Sequence, residues 1–148
     1  MFPFSRMPFD KKQIEAAIVN LEKQSSAELR VYIERKIPLT SSISDLERAL
    51  QVFTLLEMEK TVARNGVLIY IAFKDHKCSV IGDQGIHQYV GDEFWRQICD
   101  TMISHFKQKK YNEGIVNAIE SIGKELALYF PHQPNDWDEL SNEVVINE

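Results

Sequence analysis

The chain reads as an α/β protein, a three-layer α/β/α sandwich around a central mixed sheet of about four strands. Three observations lead there. Apolar stretches with the period of a strand alternate with longer ones at helical spacing, in the order helix, strand, helix, strand, strand, helix, helix. The first strand reaches the second through a helix, which calls for a parallel pairing, whereas the second and third are joined by a short polar turn, which makes them antiparallel. Helices with a single apolar stripe bury it by packing on the faces of a sheet.

The elements follow in order. Asp10 is placed to cap a first helix carrying Ile14, Ala17, Ile18 and Leu21, and Ser25-Ser26 ends it. Leu29, Val31 and Ile33 alternate with Glu28, Arg30, Tyr32 and Glu34, the pattern of a half-buried strand that Pro38 closes. Ser44 with Glu47 forms a capping box for a second helix, whose expected stripe is Leu46, Leu50, Phe53, Thr54 and Leu56. Asn65-Gly66 turns the chain into a hairpin of Val67 to Phe73 and Lys77 to Ile81, joined through Lys74, Asp75 and His76. A loop carrying Gly82, Asp83, Gln84 and Gly85 comes next. Asp92 is expected to start a third helix with Phe94, Trp95, Ile98, Met102, Ile103 and Phe106, and a fourth follows Tyr111 with Ile115, Ala118, Ile119, Ile122, Leu126 and Phe130. Pro131 and Pro134 stop it. One domain therefore spans 1–131. Residues 132–148 hold five acidic side chains and no lysine or arginine, and are expected to be a mobile tail or a docking segment around Trp137.

At 148 residues the chain is one domain's worth, enough to bury about 68–70% of its unfolded surface. A net charge of −5 argues against a nucleic-acid partner, which needs a basic face. The strongest basic cluster, Lys107, Lys109 and Lys110, sits at a helix end, where cations complement the helix dipole. No apolar run is long enough for a membrane span, and MFPFSRMPFD lacks the apolar core of a signal peptide, so a cytoplasmic protein is expected. Cys78 and Cys99 each lie in apolar-rich sequence without a CxxC spacing and read as structural thiols.

Common catalytic signatures are absent: GxxxxGK[ST], GxGxxG, HExxH and GxSxG do not occur. His76, His87, His105 and His132 have no partner at metal-helix spacing. What remains is carboxylate. Asp83, Asp92, Glu57, Glu59 and Glu28 lie on or beside loops, and Asn65 can lend an amide oxygen. Such groups can ligate a hard cation, Ca²⁺ or Mg²⁺, or act as general acid or base where burial raises the pKa. Structural readings stand beside the functional ones. Asp92 can serve as a helix cap, Asp83 can satisfy a tight turn, Glu57 and Glu59 can end a helix in solvent, and Glu28 can face water from its strand.

Several blocks in order give a family resemblance. Ser26-Ala27-Glu28-Leu29, Arg64-Asn65-Gly66-Val67-Leu68-Ile69-Tyr70, Gly82 with Gly85-Ile86 and Asp92, and Phe106, Tyr111 and Gly114-Ile115 together resemble the TPM domain family over residues 10–131. The resemblance implies an α/β/α sandwich. It also implies a divalent-cation site where two loops cross at one end of the sheet, here the segment before Asn65 and the segment Gly82 to Asp92. The expected ligands are Asp83 and Asp92, with Glu57, Asn65 and Glu28 as further candidates. Family members are typically secreted or membrane-tethered, with a signal peptide and often a transmembrane helix; this sequence shows neither pattern, so it is expected to be a stand-alone cytoplasmic member. The function expected is a calcium- or magnesium-binding module with a regulatory or assembly role and an unidentified protein partner. Two alternatives stand beside it: a metal-dependent acid phosphatase, an activity assigned to some members, and a protein-interaction module.

Overall fold

The computed structural model describes residues 7–38, 43–133 and 140–147. Its elements are α1 (Lys11–Gln24), β1 (Glu28–Glu34), α2 (Asp45–Leu55), β2 (Gly66–Ala72), β3 (Lys77–Gly82), α3 (Gln84–Lys107), α4 (Tyr111–Tyr129) and β4 (Val145–Asn147). The sheet runs β3-β2-β1-β4. β1 pairs in parallel with β2 (Val31 opposite Ile69) and with β4 (Ile33 opposite Ile146), and β2 pairs antiparallel with β3 (Ile69 opposite Val80).

Strand alternation sorts the core into two layers. Leu29, Val31, Ile33, Val67, Ile69 and Ile71 point to one face, where they meet Ile14, Ile18 and Leu21 of α1, Trp95, Ile98 and Met102 of α3, and Ile115, Ile119 and Ile122 of α4. Tyr32, Leu68, Tyr70 and Ala72 point the other way, onto Ala49, Val52 and Phe53 of α2. The mixed sheet thus lies between one helix and three, the expected three-layer sandwich. Each fully buried Ile or Leu contributes roughly 1.5–3 kcal/mol to that arrangement.

The caps of the first two helices form as expected. Asp10 accepts from the Gln13 N–H, and Ser44 and Glu47 make the reciprocal capping box. Four expectations need correction. β1 is buried on both faces except at Arg30, so Glu28 and Glu34 are buried rather than solvent-facing. The inward face of α2 is Ala49, Val52 and Phe53 with Leu56 partly covered, a complete i, i+3, i+4, i+7 set, while Leu46 and Leu50 are exposed. That set begins on a small residue with little hydrophobic signal, so the larger exposed leucines mislead a periodicity reading. α3 starts eight residues before Asp92: Asp83 caps it, and Gly91, at φ 75° and ψ 175°, kinks it just ahead of Asp92. Finally, part of the acidic tail is not an appendage. Val145–Asn147 adds the fourth strand, Val144 is buried, and Lys11 pairs with Glu143 at 3.0 Å. Trp137 lies outside the described residues.

Cys78 and Cys99 are free thiols, and the Cys78 thiol, beside Cys99 and mostly buried, is pushed well above its ordinary pKa and stays protonated. Among the described residues no helix is long and apolar enough to cross a membrane.

Candidate functional site

The two segments that cross at the N-terminal end of β2 are 57–65 and 82–87. Backbone bonds hold the crossing: the Asp83 N–H donates to Gly66 O at 2.9 Å, and the Gly85 N–H donates to Arg64 O at 2.9 Å. The glycines on either side of Asp83 follow from that closeness. A Cβ at Gly82 would lie 2.4 Å from the Trp95 ring, and one at Gly85 would lie 2.1 Å from Ala63 O. Only a bare backbone passes between these neighbours.

Asp83 is buried and does two jobs. One carboxylate oxygen accepts from the Gln84 N–H at 2.7 Å, capping α3 where the helix dipole favours a negative charge. Both oxygens are gripped by the Arg64 fork, Nε to Oδ2 at 2.7 Å and Nη2 to Oδ1 at 2.9 Å. The Arg64 side chain is 42% exposed against 6% for Asp83, so the pair reaches from water into the protein. Hydrogen bonding to Asp83, and then the charges of Asp83 and Glu59, raise the Arg64 pKa further. Arg64 itself has a left-handed backbone, φ 51°, uncommon for a residue with a Cβ.

Asn65, next along the chain, is 2% exposed. Its N–H donates to the Thr61 hydroxyl at 3.1 Å and its amide NH₂ to Ser26 O at 3.2 Å. Its amide oxygen is buried with no hydrogen-bond partner, and so is Oε2 of Glu59 on the same segment. Leaving a buried acceptor unsatisfied costs about 1–3 kcal/mol, so two of them on one crossing segment call for an explanation.

The other candidates stand apart. Glu57 is exposed and pairs with Lys60 at 2.9 Å, as the residue that follows the α2 C-cap in a left-handed conformation. The Asp92 carboxylate is 97% exposed and lies 3.4 Å from His87 Nε2, whose other ring nitrogen faces the Trp95 indole N–H at 3.3 Å. Glu28 is buried and accepts from the Leu140 N–H at 3.0 Å. Among the described residues no three His, Cys, Asp or Glu side chains converge as a metal cage. Sequence reading missed Arg64 as the partner of Asp83. The available signal was its position directly before Asn65-Gly66, where a long basic side chain at a strand entrance can reach the crossing segment.

By donor chemistry the crossing fits a hard cation in part. Asn65 Oδ1 and Glu59 Oε2 are oxygens of the right type without partners, and Asp83 is a third that is already satisfied by a positive charge.

A family model described as the TPM domain matches residues 7–125. The NMR structure of the BA42 protein from the psychrophilic bacterium Bizionia argentinensis is similar at 40% identity, covering 93% of this chain and 92% of that one, with a TM-score of 0.82. The solution structure of the N-terminal domain of a protein from P. gingivalis shares the fold at 19% identity and a TM-score of 0.62, over 84% of this chain and 81% of that one. Among curated proteins none matches.

Proposed function

The chain belongs to the TPM domain family, and on that premise we propose that it is a divalent-cation-binding module, calcium or magnesium tying segment 57–65 to segment 82–87. The observation that carries the reading is the pair of buried oxygens without partners, Asn65 Oδ1 and Glu59 Oε2, on the segment that crosses Asp83. A bound cation would supply a compact double positive charge that satisfies these oxygens and offsets the repulsion between carboxylates. Asn65 would contribute a neutral oxygen already fixed by its bonds to Ser26 and Thr61. Asp83 would join once Arg64 lets go, and Arg64, 42% exposed, has water to turn into. Asp92, Glu57 and Glu28 are further out in this proposal. Asp92 and Glu57 would act through the local potential, and Glu28 would hold residue 140 against the sheet.

The test is calorimetric titration of calcium, then magnesium, into chelator-treated protein, with thermal melts alongside. Saturable binding and a raised melting temperature are expected, with about 2.7 kcal/mol of added stability at a metal concentration 100 times Kd. Absence of both heat and shift would leave Asp83 as a helix cap and ion-pair partner only. Assaying the same samples with p-nitrophenyl phosphate separates a binding module, which turns none over, from a metal-dependent phosphatase.

A further inference from the structure

The opposite end of β2 carries a different kind of site. There a cavity of about 280 Å³ opens between the C-terminal end of β2, the start of β3 and the α3–α4 junction. Ile71, Phe73, Ile103, Phe106 and Tyr111 form its apolar wall. Phe73 and Tyr111 meet edge to face with centroids 5.4 Å apart, Phe106 and Tyr111 lie tilted at 5.7 Å, and Phe9 packs edge-on against all three. Around this wall stand His76, Lys77, Lys107 and Lys109, and none of the lining residues is acidic although the chain carries a net −5.

Helix-dipole compensation accounts for Lys107, in the last turn of α3, but not for the convergence of four basic groups. Lys77 begins a strand and His76 sits in the hairpin turn, so they arrive from the sheet, while Lys109 arrives from the helix junction. His76 and Lys109 both have left-handed backbones, φ 56° and 62°.

We propose that this cavity binds a small amphipathic anion, a flat bicyclic aromatic body against the Phe73, Phe106 and Tyr111 wall with a carboxylate toward the lysines. Size supports the class: a cavity of roughly 150 Å³ accepts benzene, so this one has room for two fused rings. Charge complementarity selects the anion.

The experiment titrates 2-naphthoate, 2-naphthylmethanol and 2-naphthylmethylamine, three probes of one shape and different charge, into the full chain, followed by calorimetry and NMR of the aromatic rings. The carboxylate is expected to bind saturably, at least tenfold tighter than the alcohol and tighter still than the amine, shifting Phe73 and Tyr111 resonances. The double variant Lys77→Gln/Lys107→Gln should weaken the carboxylate at least fivefold while leaving the alcohol unchanged, which also reports an intact cavity. Ile103→Trp, filling the space, should abolish both. Equal affinity for the three probes, an unchanged carboxylate affinity in the lysine variant, or no saturation by 2-naphthoate would overturn the proposal. Asp83→Ala should leave this binding intact, which keeps it independent of the cation site.

Discussion

Two arginine–carboxylate pairs sit on the two sides of this molecule, and they look alike until their surroundings are compared. Arg48 grips Glu34 through Nε at 2.8 Å and Nη2 at 3.1 Å, and Arg64 grips Asp83 through the same atoms at 2.7 and 2.9 Å. Both carboxylates are buried, 5% and 6% exposed. The arginines differ: Arg48 is 16% exposed and Arg64 42%. Glu34 also receives the Tyr70 hydroxyl at 2.5 Å beneath the Tyr32 ring, whereas the segment beside Asp83 holds two oxygens with no partner at all. A closed pair has its cation buried and its neighbours satisfied, so it can only be broken. A pair whose cation faces water beside unsatisfied acceptors can be exchanged. The hydrogen-bond distances alone do not tell the two apart.

The comparison can be broken from the closed side first. Arg48→Met strands the buried Glu34 charge and should cost about 3–5 kcal/mol, measured by urea unfolding. Tyr70→Phe removes a hydrogen bond to a charged group and should cost about 1.5–3 kcal/mol. Tyr70 also sets an alkaline limit. Burial and then the Glu34 hydrogen bond raise its pKa above the ordinary 10.0. Above pH 10 the unfolded chain gives up this proton while the folded chain keeps it, so stability falls with rising pH. Unfolding curves between pH 9 and 11 should show a shallower fall in Tyr70→Phe than in the wild type.

On the open side the structural effects shrink and the binding effects grow. Asp83→Ala loses the α3 cap but leaves Arg64 in water, so it should cost only about 1–2 kcal/mol while removing the calcium heat. Asp92→Asn and Glu57→Gln should each change calcium affinity by less than about threefold, because exposed charges are screened. A larger loss in either would move that side chain into contact with the ion.

The same division explains what the sequence made legible. The sandwich could be read because Ile14, Ile18 and Leu21, the Val67–Phe73 run, and the α4 stripe carry unambiguous periods, and the Ser44–Glu47 box names its own helix start. The α3 start could not, because Gly82 and Gly85 look like loop punctuation, whereas their neighbours Trp95 and Ala63 are distant in sequence. Glu28 and Glu34 alternate like solvent-facing residues, and only the tertiary cover shows that they are buried, Arg48 of α2 on Glu34 and residue 140 on Glu28. β4 was hidden because a three-residue edge strand in an acidic segment has almost no pattern of its own. The Asp83 loop was identified as a place of interest from two glycines and a carboxylate. That Arg64 fills it is a tertiary fact, the partners standing nineteen positions apart in the chain.

Whether Arg64 holds a place that a metal can take is decided by one titration. Calcium is added calorimetrically to chelator-treated wild type and to Arg64→Gln, with melts of both. If the guanidinium competes with the ion, the binding-competent fraction rises when it is removed, and Arg64→Gln should bind calcium about tenfold tighter or more, with a larger rise in melting temperature on saturation. Equal or weaker affinity in Arg64→Gln, or no calcium heat in either protein, would contradict the account and make Arg64–Asp83 a second closed pair.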